Sequence, residues 1–190
     1  MTTPRPPQRI SDEELVLTCN EGTAAEAARA FEMLYRRHKD FVLRVALRFV
    51  RDHDSALDVL QETFTYLLRK FPPAGDGLVL TAKLTTLLYP VAKNSAITQL
   101  RRADRIAGHG APDPDELPAA VLADHSDLAG LLRDLDADRR EVILLRFVDG
   151  LTLQDIADAL QIPLGTVKSR LHLAIRTLRA SPEVKKFFDP

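Results

Sequence analysis

The residues best suited to chemistry lie between Gly165 and Ala180. There Lys168, Arg170, Arg176 and Arg179 alternate with Thr166, Ser169 and His172, and no carboxylate intervenes. On a helix, such a face can neutralise phosphates with its cations while the short polar side chains reach base edges in a major groove. The same helix has an inward side, because Val167, Leu171, Ala174 and Leu178 recur at three- and four-residue steps. Pro163 or Leu164 can open it, since a proline in the first turn loses no helical hydrogen bond. Gln161-Ile162-Pro163 closes the helix before it. That helix begins at Thr152, a predicted N-cap with Asp155 three residues on, and its apolar stripe is Ile156, Ala157 and Leu160. Ala157 is small where two short helices must cross closely. A basic face on a lone helix would mean only a solvated surface. Behind a capped helix and a tight turn it predicts a helix-turn-helix that binds DNA.

The rest of the composition limits the alternatives. With 26 lysines and arginines against 27 aspartates and glutamates, the 190-residue chain does not coat nucleic acid by charge alone, so DNA contact must come from local patches. Cys19 is the single cysteine and reads as a small buried or half-buried residue, with no internal disulfide to form. The five histidines, at 38, 53, 109, 125 and 172, have no ligand spacing. No phosphate loop, nucleophile elbow or paired-cysteine metal site is present, which predicts no catalysis and no cofactor. No apolar run approaches the ~18 residues of a membrane span, and MTTPRPPQRI lacks a signal-peptide core, so a cytoplasmic location is expected.

The stretch Asp138 to Arg179, with its core GTVKSRLH, resembles region 4 of the sigma-70 family, in particular the extracytoplasmic-function (ECF) group. The resemblance implies a module that binds the −35 promoter element and touches the flap of the RNA polymerase β subunit. Thr166, Lys168, Ser169, Arg170, His172 and Arg176 are then the DNA-contact candidates. Leu173 and Ile175 stand where many members carry arginines.

The N-terminal half extends the resemblance. A capping box at Ser11 and Glu14 opens a short helix of about 12–20 that Gly22 ends, and a long one follows over about 24–50, with Phe31, Leu34, Tyr35, Val42, Val45, Ala46 and Phe49 on one face. A third is predicted from about Ser55 to Phe71. Its run RDHDSALDVLQETFTYLLRKF is similar to regions 2.1 to 2.2 of ECF factors, which dock on the clamp helices of the polymerase β′ subunit. By that resemblance Asp58, Gln61 and Glu62 are core-binding candidates, and Leu57 replaces a frequent glutamate.

After the turn-rich FPPAGDG, a helix is predicted over about 80–102. In the ECF pattern the loop here captures a flipped base of the −10 element and the next helix separates the strands. LLYPVAKNSAITQLRR matches at Ala92, Asn94, Arg101 and Arg102, and the resemblance makes Asn94, Arg101 and Arg102 the −10 candidates. Leu87 takes a tryptophan's position, Pro90 an arginine's and Thr98 an aspartate's. Pro90 within a helix is expected to remove a hydrogen bond and kink it, at about 3 kcal/mol.

These readings predict an all-α chain of two small helical domains joined by an acidic linker rich in proline and glycine. Residues 1–10 form a disordered N-terminus, 11–102 a region 2-like domain, 103–127 the linker, 128–182 the region 4-like domain and 183–190 a tail. Leu131, Leu132 and Leu135 make a short amphipathic piece, and Arg139 to Val148 a helix with Val142, Ile143, Leu145 and Phe147 apolar. The partners implied are RNA polymerase core through its β′ clamp helices and β flap, promoter DNA and, as the family allows, an anti-sigma factor; the free chain is expected to be a monomer. Two alternatives stand beside this. One is a LuxR-type helix-turn-helix regulator that recruits polymerase as a separate activator, and the other a sigma-like decoy with weakened promoter melting.

Overall fold

A computed structural model describes residues 10–50, 52–106, 132 and 134–180. The N-terminal segment 1–9, the linker from 107, the helical start at 128–131 and the tail lie outside the described residues. Helices make up the regular structure, and no strand occurs among those residues.

Four helices build the first module: α1 Asp12–Glu21, α2 Ala24–Leu47, α3 His53–Leu68 and α4 Leu84–Ile106. Each of the first three starts on a side-chain cap. Ser11 and Glu14 form the expected capping box, Thr23 and Glu26 form another, and Asp52 accepts from the Ser55 N–H. The helices then bury their apolar faces against one another, with Leu34, Val42, Val45, Val59, Leu67 and Leu88 fully enclosed. Phe31 and Tyr35 of α2 meet Phe64 of α3 edge-on, at centroid distances of 6.3 and 4.8 Å. Asp12 pins α1 to α2 by pairing with Arg37 at 2.5 Å and with His38 at 2.8 Å. Cys19 is buried, and burial pushes its thiol up to about 11.

The second module holds α5 Ala137–Ile143, a π-helical turn Leu144–Val148, α6 Leu153–Leu160 and α7 Leu164–Ala180. Leu132, Leu135, Ile143 and Leu144 pack on Ala174 of α7, and Ile175 adds to that cluster. Apolar packing explains an isoleucine at 175, where the resemblance led one to expect an arginine. The modules are not separate bodies. One apolar cluster runs from Leu15 through Leu88 and Ala92 of α4 to Val142, Leu145, Ile156 and Val167.

Several boundaries differ from the periodicity. α2 stops at Leu47, and Arg48 and Phe49 form a turn that sends Arg48 inward. α3 begins earlier than expected because Asp52 caps it, and it ends at Leu68, three residues short of Phe71. α4 starts only at Leu84, since 78–83 is an irregular loop, and it continues past Arg102 to Ile106. It also runs through Pro90 without a break in the helix. Leu88, Tyr89 and Ala92, buried on either side of the proline, hold the segment in place, so packing overrides the local cost. The expected helix 139–148 is part π: the Asp149 N–H reaches back to the Leu144 carbonyl at 3.0 Å. Val142 and Ile143 at the end of α5 and Leu144 and Leu145 in this wider turn are buried in succession, while Phe147 stays outside, 64% exposed.

Between α6 and α7 the chain turns through Gln161, which sits in the left-handed region at φ 55°. A side chain there costs about 1–2 kcal/mol that glycine avoids. Gln161→Gly is therefore expected to raise stability by about 0.5–1 kcal/mol, once glycine's greater unfolded-state freedom is subtracted. A thermal unfolding curve shifted downward would count against this.

Candidate nucleic-acid interface

The DNA-contact candidates on α7 are positioned by the turn before it. Thr152 and Asp155 form the reciprocal box at the start of α6, at 2.9 and 3.1 Å. The backbone N–H groups of Thr166 and Val167 return to the Pro163 carbonyl, which starts α7 at the proline. Val167 and Ala174 are buried against the module, and this rotation leaves Lys168, Ser169, His172, Arg176 and Arg179 exposed on the opposite side. Thr166 is half-buried. Arg170 is half-buried too and pairs with Asp138 of α5, so part of its charge is already matched within the module. No acid lies on α7, and its outer face remains a cationic strip.

In the first module, Asp58, Gln61 and Glu62 are exposed along α3. They share one open hollow of about 620 Å³ with Tyr66, Arg69 and Arg102. Glu62 accepts from Ser95 and, at 3.4 Å, from Gln99 of α4. The structure thus brings Arg102, a −10 candidate, beside the core-binding candidates. Asn94 and Arg101 are exposed on α4 but do not line that hollow. Leu57 is exposed beside Leu60, Phe64 and Leu68 in a neighbouring apolar groove. Leu87 is half-buried and packs against the core, as a packing replacement for an aromatic would.

The loop before α4 is held from below. The Asn20 side chain donates to the Leu78 carbonyl at 2.8 Å and accepts from its N–H at 2.9 Å. Gly77 adopts φ 100° beside it, where a Cβ would lie 3.1 Å from Asn20 Oδ1. Anchored in this way, the loop presents Val79 almost bare, 82% exposed.

Family comparison places these surfaces in context. A model described as sigma-70 region 2 matches residues 34–106, and one described as sigma-70 region 4 matches 125–178. The ECF RNA polymerase sigma factor SigL of Mycobacterium tuberculosis is 37% identical over 168 residues, covering 83% of this chain and 92% of that one. The chain belongs to the ECF group of the sigma-70 family. The sigma-H factor of Pseudomonas aeruginosa is 29% identical over 192 residues, covering 94% of each. Among solved structures, CnrH in complex with the cytosolic domain of CnrY aligns with a TM-score of 0.62 at 23% identity, covering 89% of this chain and 95% of that one. The sigma factor RpoE of Bartonella quintana, in complex with the anti-sigma factor NepR, aligns at 0.58 and 24%, covering 80% and 95%. At these identities the two structures speak for the fold.

This sigma factor therefore acts in promoter-specific transcription initiation, within a family of initiation factors that bind polymerase core and promoter DNA and are not enzymes. A separate LuxR-type activator is disfavoured, because region 2 sequence occupies residues 34–106. Among the described residues no helix is long and apolar enough to cross a membrane.

Sequence reasoning missed the residues between the modules. Lys83 pairs with Asp155 at 2.7 Å, Lys93 with Glu141 at 2.5 Å and Arg48 with Asp149 at 2.7 Å. The Tyr89 hydroxyl also donates to Glu141; burial and that carboxylate hold its own ionisation well above the usual value. No periodicity in the chain signals such pairs, since their partners are between 48 and 101 residues apart.

Burial alone would raise the Asp155 carboxyl, but its bonds from Lys83 and Thr152 outweigh burial and hold it below the usual 3.8. Asp12 is lowered the same way, burial being overcome by His38 and Arg37. Their contribution to stability is present above the unfolded value near 3.8 and disappears as pH falls through the lower folded values. Acid unfolding followed by circular dichroism should therefore begin below about pH 4, and Asp12→Asn should flatten that loss.

Proposed function

We propose that this sigma factor brings RNA polymerase core to a promoter subset by four surfaces. Helix α7 reads the −35 element, with Lys168, Ser169, His172 and Arg176 as its outermost contacts. The Asn20-anchored loop 78–83 takes an unpaired base of the −10 element, and Asn94, Arg101 and Arg102 of α4 hold the separated strands. Asp58, Gln61 and Glu62 of α3 dock on the clamp helices of β′, and the second module meets the β flap. The work belongs to the cytoplasm, where polymerase and promoters are.

The observation that carries this reading is the exposed, acid-free basic face of α7 behind a capped, tightly turned α6. Half-burial of Thr166 and the tie between Arg170 and Asp138 give these two supporting positions and leave base reading to the exposed residues.

Co-purification with polymerase core at salt high enough to suppress loose charge contacts, followed by transcription from a genomic fragment library, tests the reading. Stable association with defined start sites is expected, and the start sites yield the promoter motif. Association without initiation would make the protein a decoy.

A further inference from the structure

The loop 78–83 is held at its two ends and bare between them. Among the described residues, the backbone of 79–82 makes no hydrogen bond, and Val79 is 82% exposed. At the far end the Thr86 N–H returns to the Lys83 carbonyl, where α4 begins. Among the ion pairs described along the seam between the two modules, only Lys83 with Asp155 touches the loop, and it does so at the last residue. Where the loop starts is decided elsewhere.

That place is the last turn of α1. The Asn20 carboxamide donates from Nδ2 to the Leu78 carbonyl at 2.8 Å, and its Oδ1 accepts from the Leu78 N–H at 2.9 Å. One planar side chain thus takes both backbone groups of one residue, as a neighbouring strand would. Aspartate offers no donor for this, and glutamine carries its amide one methylene further out. Gly77 makes the approach possible: it adopts φ 100°, and a Cβ there would lie 3.1 Å from Asn20 Oδ1.

Asn20 is itself fixed. Asp12 pins α1 to α2 through Arg37 and His38, and Cys19, next to Asn20, is buried in the core. The start of the loop therefore takes its position from the enclosed interior of the first module. Beyond Leu78 the loop borders an open hollow of about 520 Å³, lined in part by Leu80, Thr81 and Leu87. A base leaving its stack gains most from a surface already in place, because every residue ordered only on arrival subtracts from the free energy of capture.

We propose that Asn20 is a positioning residue for −10 recognition. It presets the loop that captures the unpaired base, and so governs discrimination at that base while touching no DNA itself. Helix α1 thereby becomes part of the −10 site. This inference rests on the −10 role proposed for loop 78–83.

The test uses the full-length protein assembled with polymerase core, and forked templates that are duplex through the −35 element and single-stranded through the −10 motif from the library experiment. Removing the base at each −10 position in turn identifies the captured one, as the abasic site that weakens wild-type binding most. Asn20→Ala should then bind the intact fork about tenfold more weakly than wild type does, and that abasic fork equally well. A general loss of stability would weaken both templates alike, so the coupling separates positioning from support of the fold. Gly77→Ala, which crowds Asn20 Oδ1 from the loop side, should show the same pattern. Equal weakening on both templates overturns the positioning role. Loss of core association in Asn20→Ala overturns it too, because the residue is then a strut of the whole module, and so does full discrimination in Gly77→Ala. A wild type that is indifferent to every abasic site removes base capture by the loop, and the role of Asn20 with it.

Discussion

Replacing Lys168 and Arg176 together by alanine should remove −35 selection. Each is exposed on the same face of α7, and eight residues of helix separate them by about 12 Å, so their losses should add. A good base or phosphate contact contributes about 1–3 kcal/mol, which makes the double loss about 2–6 kcal/mol, or 30-fold and upward in affinity. Start-site mapping with the double variant should show promoters losing their −35 motif while polymerase association persists. The salt dependence of duplex binding divides the roles further: a residue that touches phosphate lowers the slope by about 0.9, and one that reads a base changes sequence preference instead. Unchanged promoter selection in the double variant would move recognition off this face. Arg170→Ala should have the smaller effect on DNA and should loosen α7 from α5, because its partner in the free protein is Asp138.

Asp149→Ala should produce the largest loss of stability. The carboxylate is fully enclosed and Arg48 is only 5% exposed, so truncation strands a guanidinium in the seam. Breaking one side of a buried pair costs about 3–5 kcal/mol, whereas replacing both sides by apolar groups of similar size is near neutral. Urea denaturation should therefore show a large fall for Asp149→Ala and recovery of most of it in Arg48→Met with Asp149→Leu. A fall under about 1 kcal/mol would mean that water reaches Arg48, and hence that the modules separate instead of holding the bare charge.

Both expectations show where sequence suffices. The helix-turn-helix was legible because its signals are local: the cap at Thr152 and Asp155, the break at Pro163 and the 3.6-residue recurrence of Val167, Leu171, Ala174 and Leu178 each span one helix turn. The outer face of α7 follows from that recurrence, and so does the exposure of Lys168 and Arg176. The buried faces of α2 and α3, and the family these segments share with region 2, were legible for the same reason.

Other features depend on partners distant in the chain. The π turn lies where Ile143 and Leu144 join the cluster around Ala174 while Val142 and Leu145 join the larger one, a division set by two distant sets of partners. Continuation of α4 through Pro90 depends on the packing of Leu88, Tyr89 and Ala92. Asn20 gains a role only when α1 lies under Leu78, 58 residues away. The seam is the clearest case: Arg48 looks like one more cation on a solvated helix face until the turn after Leu47 aims it at Asp149. Sequence by itself determined which helices form, which faces they bury and which family the chain joins, because those follow from local pattern and near-neighbour energetics. Only the tertiary structure decided that the helix-turn-helix module packs on α4, tied to it and to the loop before it by Lys93 with Glu141 and Lys83 with Asp155, because that depends on ion pairs and apolar contacts between residues with no relation in sequence.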